Sequence, residues 1–168
     1  MLQTYLHRIY WVLGLLVVQV LIGNHINIGG YVTPLIYVYV LLKLGLECGR
    51  NARMLWGFAV GLLVDICSDT PGMNASASVL MCFVQPLLLR LFAPRDMADG
   101  LTPSLRTMGV AGFLKYLMAG ILVHHTCLLS LEFFSWAHPL ELLWHVLGSS
   151  LLTWALLWAL EGIQQTKN

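Results

Sequence analysis

Charge is what this sequence has little of. Lys, Arg, Asp and Glu together make up 10% of its 168 residues, where a soluble domain carries about 25%. A soluble fold of this length lacks the polar side chains to cover its surface, and a disordered chain is excluded for the same reason. Nine Lys+Arg stand against eight Asp+Glu, a net charge of +1. The basic excess that holds nucleic acid is therefore missing too. Cysteine is sparse and unpatterned: Cys48, Cys67, Cys82 and Cys127 include no C-x-x-C pair and lie in or beside apolar runs. They read as small buried hydrophobes, not as a zinc or disulfide framework. Catalytic strings are absent as well. There is no H-E-x-x-H or H-x-x-E-H, no G-x-S-x-G elbow, no Walker loop and no G-x-G-x-x-G fingerprint, so the common routes to metal, nucleophilic and nucleotide chemistry lack their residues. No catalytic residue, metal site or cofactor is expected.

What is abundant is apolar length: 58% of the residues are hydrophobic and the mean hydropathy is +0.77. A bilayer-spanning helix uses roughly 20 residues, so six spans take about 120 and leave about 48 for loops and tails. The pattern divides accordingly. Segment one runs from about Tyr5 to Ile22. Arg8 precedes its apolar run, but Gly23-Asn24-His25 offers no small-x-small cleavage site, so it reads as a retained helix. Segment two begins at Thr33-Pro34, a hydroxyl N-cap followed by proline at the first helical position, and fades near Lys43 to Glu47. Segments three, Met54 to Cys67, and four, Met73 to Phe92, are joined by Ser68 to Gly72 and predict an antiparallel hairpin turned by Pro71-Gly72. Pro86 inside segment four predicts a kink. Ala93 to Arg106 is the main polar loop; segment five covers about Thr107 to Leu131 and segment six about Pro139 to Ile163. The expected fold is an all-α membrane protein, residues 1–168 forming a single six-helix transmembrane domain.

Orientation follows from where the cations fall. With the N-terminus inside, Arg8, then Lys43, Arg50 and Arg53, then Arg90, Arg95 and Arg106, and finally Lys167 all lie on the cytoplasmic side, and Lys115 can snorkel there. The opposite loops carry Asp65, Asp69, Glu132 and Glu141 and no Lys or Arg. Both termini are expected in the cytoplasm, with Trp11, Trp56 and Trp158 near the inner interface and Trp136 near the outer one. The arginine-bearing loop, Arg90, Arg95 and Arg106, either controls topology or docks a partner or anionic headgroups.

Three polar constellations stand out. Gly57, Gly61 and Asp65 are spaced i, i+4, i+8 on one helical face, and Gly57-x-x-x-Gly61 lets another backbone come close. Asp65 should turn to the bundle interior or lie at the interface beside Asp69. This face is a packing seam, an ion or substrate site, or a docking surface. In segment five, Gly112, Tyr116, Gly120 and His124 form a second four-residue series, and His124 and His125 sit deep in the bilayer. Adjacent residues lie ~100° apart on a helix, so one histidine is expected to point inward. Its roles are an interhelical hydrogen bond, a proton relay or a metal ligand. At the start of segment six His138, Glu141 and His145 share a face; they describe either a helix start with its favourable carboxylate or, with His124 or His125, a metal site. Asn74-Ala75-Ser76 matches a glycosylation acceptor but reads better as capping groups.

The run GFAVGLLVDICSDTPGMNASASVL, Gly57 to Leu80, resembles the central segment of MreD, the small integral membrane protein of the bacterial rod-shape system. The continuation VQPLLLRLFAPRD, Val84 to Asp96, is similar to MreD of the Bacteroides type. The likeness covers about forty residues in motif and the whole chain in architecture. It implies a fold similar to the substrate-binding S component of energy-coupling-factor transporters. It also implies a non-enzymatic role in the inner membrane: binding MreC and joining the cell-wall elongation complex with MreB filaments, RodA and its transpeptidase. Asp65, Pro71 and Gly72 match the family's outer turn, and Gly57 and Gly61 its packing face. The rival expectation is a small-molecule-binding subunit of a transporter, with a pocket walled by Asp65, His124 and His145.

Overall fold

The computed structural model describes residues 14–21, 32–44, 48–94, 102–133 and 139–166. They form helices α1 (residues 14–21), α2 (Val38–Leu42), α3 (Arg50–Ser68), α4 (Met73–Phe92), α5 (Leu105–Phe133) and α6 (Pro139–Thr166), with no β-strand among the described residues. Three stretches are long and apolar enough to cross a membrane: Met73–Phe92, Leu105–Phe133 and Leu140–Gln164.

The α3–α4 hairpin forms as the sequence predicts, and the turn shows why. Asp69 ends α3 in the left-handed region (φ 54°) and Gly72 opens α4 there too (φ 81°). Two positive-φ residues within four positions reverse the chain, and glycine adopts that conformation without steric cost. The two helices then close on each other through the predicted seam. A Cβ on Gly61 would lie 2.5 Å from the Ala75 Cα, and one on Gly57 2.8 Å from the Cys82 sulfur and 2.9 Å from the Ser78 carbonyl oxygen. α3 begins at Arg50, one turn before the expected Met54. Pro86 is held inside α4.

α5 starts at Leu105, ahead of the expected Thr107, because Ser104 and Thr107 cap each other. The Thr107 N–H donates to Ser104 Oγ (3.2 Å) and the Ser104 N–H to Thr107 Oγ1 (2.9 Å), the reciprocal arrangement of a capping box. Gly109 (φ 71°, ψ 161°) then breaks the helix, separating this first turn from the long remainder.

Segment two departs most from expectation. Thr33-Pro34 does not open a helix; residues 33–35 are non-helical, and α2 spans only the five residues Val38–Leu42. Side chains from other helices take up the backbone there. The Thr33 N–H donates to Ser149 Oγ (3.1 Å), the Leu35 N–H to Thr153 Oγ1 (3.1 Å) and the Ile36 N–H to Gln19 Oε1 (2.7 Å), while Gln19 Nε2 donates to the Pro34 carbonyl (3.1 Å). Irregular backbone survives in an apolar interior only where protein groups satisfy it in this way. The broken segment is the centre of the molecule: Tyr37, Val38, Leu41 and Leu42 are fully buried together with Met81, Phe113, Tyr116 and Ile121.

Contacts fix the directions of the helices. Gly61 lies against Ala75 and Gly57 against Ser78, Gly112 against Phe92, and Trp154 Nε1 donates to the Leu114 carbonyl (3.2 Å), so α3, α4, α5 and α6 alternate in direction. One end of this bundle carries Arg50 and Arg53, Arg90, Arg106 and Glu161, joined by Lys43; the other carries Asp65, Asp69, Glu132 and Glu141. The outer surface is apolar, with Leu55, Phe58, Leu62 and Ile66 exposed on α3 and Leu140, Trp144, Leu151 and Trp158 on α6. Cys67 is exposed among them rather than buried, whereas Cys82 is buried.

Candidate functional site

A continuous line of polar groups runs from the α3–α4 turn into the core. Asp65, on the last turn of α3, is buried. Its Oδ1 accepts from Thr70 Oγ1 (2.9 Å), the Asn74 backbone N–H (2.9 Å) and Asn74 Nδ2 (3.0 Å), and its Oδ2 accepts from the Ala75 N–H (2.9 Å). Asp65 thus caps the following helix across the turn. Its carboxylate meets the N–H groups that α4 leaves unpaired and the positive end of its dipole.

Asn74 carries the line inward. Its NH2 is committed to Asp65 and to Thr70 Oγ1 (3.0 Å), so its Oδ1 is left to accept the Tyr37 hydroxyl proton (2.9 Å). With that proton placed, His124 Nε2–H donates to the Tyr37 oxygen (2.8 Å). This assigns the Nε2–H tautomer from the network. Ser78 Oγ lies 3.4 Å from the same nitrogen. Among the described residues His124 Nδ1 is then a buried acceptor without a partner.

His125 belongs to a different set. Its Nδ1–H donates to the Ile121 carbonyl (3.0 Å) and its Nε2 accepts from Thr153 (3.2 Å), whose oxygen in turn accepts the Leu35 N–H. Both histidines are fully buried, which corrects the expectation that one points inward. A helix with neighbours on several sides buries adjacent positions: His124 meets α2 and α4, and His125 meets α6.

Two further clusters tie α2 in place. Gln85 Nε2 lies 2.9–3.3 Å from the carbonyl oxygens of Leu41, Leu42 and Leu44 and 3.0 Å from the Tyr116 hydroxyl, which itself donates to the Leu42 carbonyl (2.7 Å). The Leu42 carbonyl is one that the end of α2 leaves unsatisfied, whereas the Leu41 carbonyl already accepts from the Leu44 N–H (3.1 Å) and Leu44 lies beyond the helix. Beyond them, Lys43 Nζ lies 2.6 Å from Glu161 Oε2, which also accepts from the Tyr39 hydroxyl (2.5 Å), while Glu161 Oε1 accepts from the Leu105 N–H (3.3 Å). Lys43 sits over the rings of Tyr39 and Phe113, 5.3 Å from each centroid.

The remaining predicted residues stay apart from these sets. Glu141 is exposed, His145 is half-buried with its ring 4.7 Å from that of Phe133, and His138 lies outside the described residues. Glu141 and His145 sit on the opening turns of α6 and do not join His124 or His125. Among the described residues no three of His, Cys, Asp and Glu gather as metal ligands. Asp69, Pro71 and Gly72 are exposed in the turn; Arg90 and Arg106 are exposed; Arg95 lies outside the described residues. An open groove of about 770 Å³ runs between α4 and α5, but apolar residues such as Leu80, Leu122 and Leu131 line it, with Thr126 and Ser130, and Asp65, His124 and His145 do not.

Sequence reasoning missed Tyr37, Gln85, Lys43–Glu161 and Thr153. One signal was there to read: Ser149, Thr153, Leu157 and Glu161 recur every four residues along α6, and all four are buried. Tyr37 and Gln85 had no such signal, since their partners come from elsewhere in the chain. Comparison with protein-family models, with curated proteins and with solved structures finds no match for this chain.

Proposed function

We propose that this chain is a non-enzymatic integral membrane scaffold of MreD type, which binds MreC in the bacterial inner membrane and joins the cell-wall elongation complex with MreB, RodA and its transpeptidase. In this reading it crosses the bilayer six times, counting α1, the broken segment around α2, and α3 together with the three long apolar helices. Both termini are cytoplasmic and the arginine-bearing end faces the acidic inner leaflet. One observation carries the proposal. The polar groups of the interior, from Asp65 through Asn74 and Tyr37 to His124, and from Leu35 through Thr153 to His125, are used in fastening one helix to another. Such a core gives a rigid body with an apolar exterior, as a scaffold that meets its partners within the bilayer requires.

The experiment is affinity purification of the chain from its native membranes. MreC is expected to copurify, and deletion of the gene to cost the cell its rod shape. Recovery without MreC, together with unchanged shape on deletion, overturns the proposal. The rival, a small-molecule-binding subunit, draws on the unpartnered His124 Nδ1 beside non-helical backbone. A vitamin-sized compound retained through purification would favour it.

A further inference from the structure

The seam that joins α3 to α4 has a charged residue at each end: Arg53, Gly57, Gly61 and Asp65 follow one another every four residues, and all four are buried. The two ends are treated differently. Asp65 receives four hydrogen bonds. Arg53 is 3% exposed, yet among the described residues its Nε and Nη1 have no hydrogen-bond partner and no carboxylate pairs with it. A buried guanidinium left in that state is strongly unfavourable, so a counter-charge belongs beside it.

The surroundings say what kind. Arg53 lies on the first turns of α3, whose N-cap, Gly49, offers no side chain and whose first turn holds no acidic residue. Among the described residues, then, no side chain caps the free N–H groups at the positive end of the dipole. Arg50 opens the same helix and is held against α4, its guanidinium 4.4 Å from the centroid of the Phe83 ring. We propose that Arg53, Arg50 and the N-terminus of α3 form a binding site for a phosphate-bearing anion. Planar guanidinium donors and helix N–H groups are the chemistry that recognises a phosphate, whether on a lipid headgroup or free in solution.

The test uses the full chain reconstituted in phosphatidylcholine vesicles, in the same vesicles doped with phosphatidylglycerol, and in phosphatidylcholine with inorganic phosphate replacing chloride at matched ionic strength. Thermal unfolding is the readout. The anion is expected to raise the melting temperature by about 5 °C at saturation. R53Q abolishes the rise, R50Q reduces it, and R90Q, an exposed arginine at the same end of the bundle, keeps it whole. A rise with phosphatidylglycerol alone assigns a lipid headgroup; a rise with both anions assigns the phosphate group itself. The proposal is overturned if the wild-type chain shows no rise, or if R90Q loses it as fully as R53Q. It is equally overturned if E47Q and R53Q lower the melting temperature alike while no anion has any effect, because Arg53 then has its counter-charge within the chain. Should R53Q fail to fold, R50Q against R90Q decides.

Discussion

Replacing Asp65 with alanine removes one side chain and leaves four donors without their acceptor: Thr70 Oγ1, Asn74 Nδ2 and the backbone N–H groups of Asn74 and Ala75. Losing a helix N-cap costs about 1 kcal/mol, and each buried donor left unpaired about 1–3 kcal/mol. Water reaching the turn satisfies the Thr70 hydroxyl, which is only partly buried, so the expected loss for Asp65→Ala is about 3–5 kcal/mol. Asp65→Asn keeps one acceptor oxygen but sets an NH2 against the Ala75 N–H, for an expected loss of about 1–2 kcal/mol. Asp69→Asn is the control. Its side chain is exposed, and asparagine tolerates the left-handed backbone at that position, so the change should stay within about 0.5 kcal/mol. Denaturant unfolding of the purified chain in detergent micelles ranks the three. A loss below about 1 kcal/mol for Asp65→Ala, or equal losses at positions 65 and 69, refutes the claim that the carboxylate fastens α4 to α3.

Glycine-to-alanine changes test the seams. Gly61→Ala sets a methyl against the α4 backbone, which cannot yield, and should cost about 1–3 kcal/mol or more. Gly120→Ala meets only the tip of Leu42 and should cost less, while Gly162→Ala meets open space and should gain up to about 1 kcal/mol of helix propensity; melting temperatures in that order check the packing. Glu161→Gln strands the Lys43 ammonium with a neutral partner and should cost about 3–5 kcal/mol, and adding Lys43→Met should recover part of it. A double-mutant cycle showing simple additivity would contradict that pairing. Thr153→Val keeps shape but leaves both the Leu35 N–H and His125 Nε2 unpaired, for about 1–3 kcal/mol each. Amide exchange at Leu35 should quicken in that variant.

Much of the fold was legible along the chain because it depends on neighbours in sequence. The bounds of α4 fell where the apolar run begins and ends, Met73 and Phe92. The turn chemistry of residues 69–72 announced the hairpin, and the four-residue spacing of Gly57, Gly61 and Asp65 marked the face that meets α4. That both His124 and His125 are buried was not legible. Periodicity says which residues share a face, but not how many faces a helix has covered, and α5 is covered by α2, α4 and α6.

The broken segment shows the division most clearly. By itself the sequence determined the all-helical composition, the hairpin and the gathering of cations toward alternate helix ends, since hydropathy, turn residues and charge act locally. Only the tertiary structure decided that Thr33-Pro34 opens no helix. Three backbone N–H groups there, those of Thr33, Leu35 and Ile36, are taken by Ser149, Thr153 and Gln19. Donors and acceptors up to 118 positions apart along the chain meet only once the bundle has closed, and a local propensity worth a fraction of a kcal/mol yields to hydrogen bonds that pair these three N–H groups.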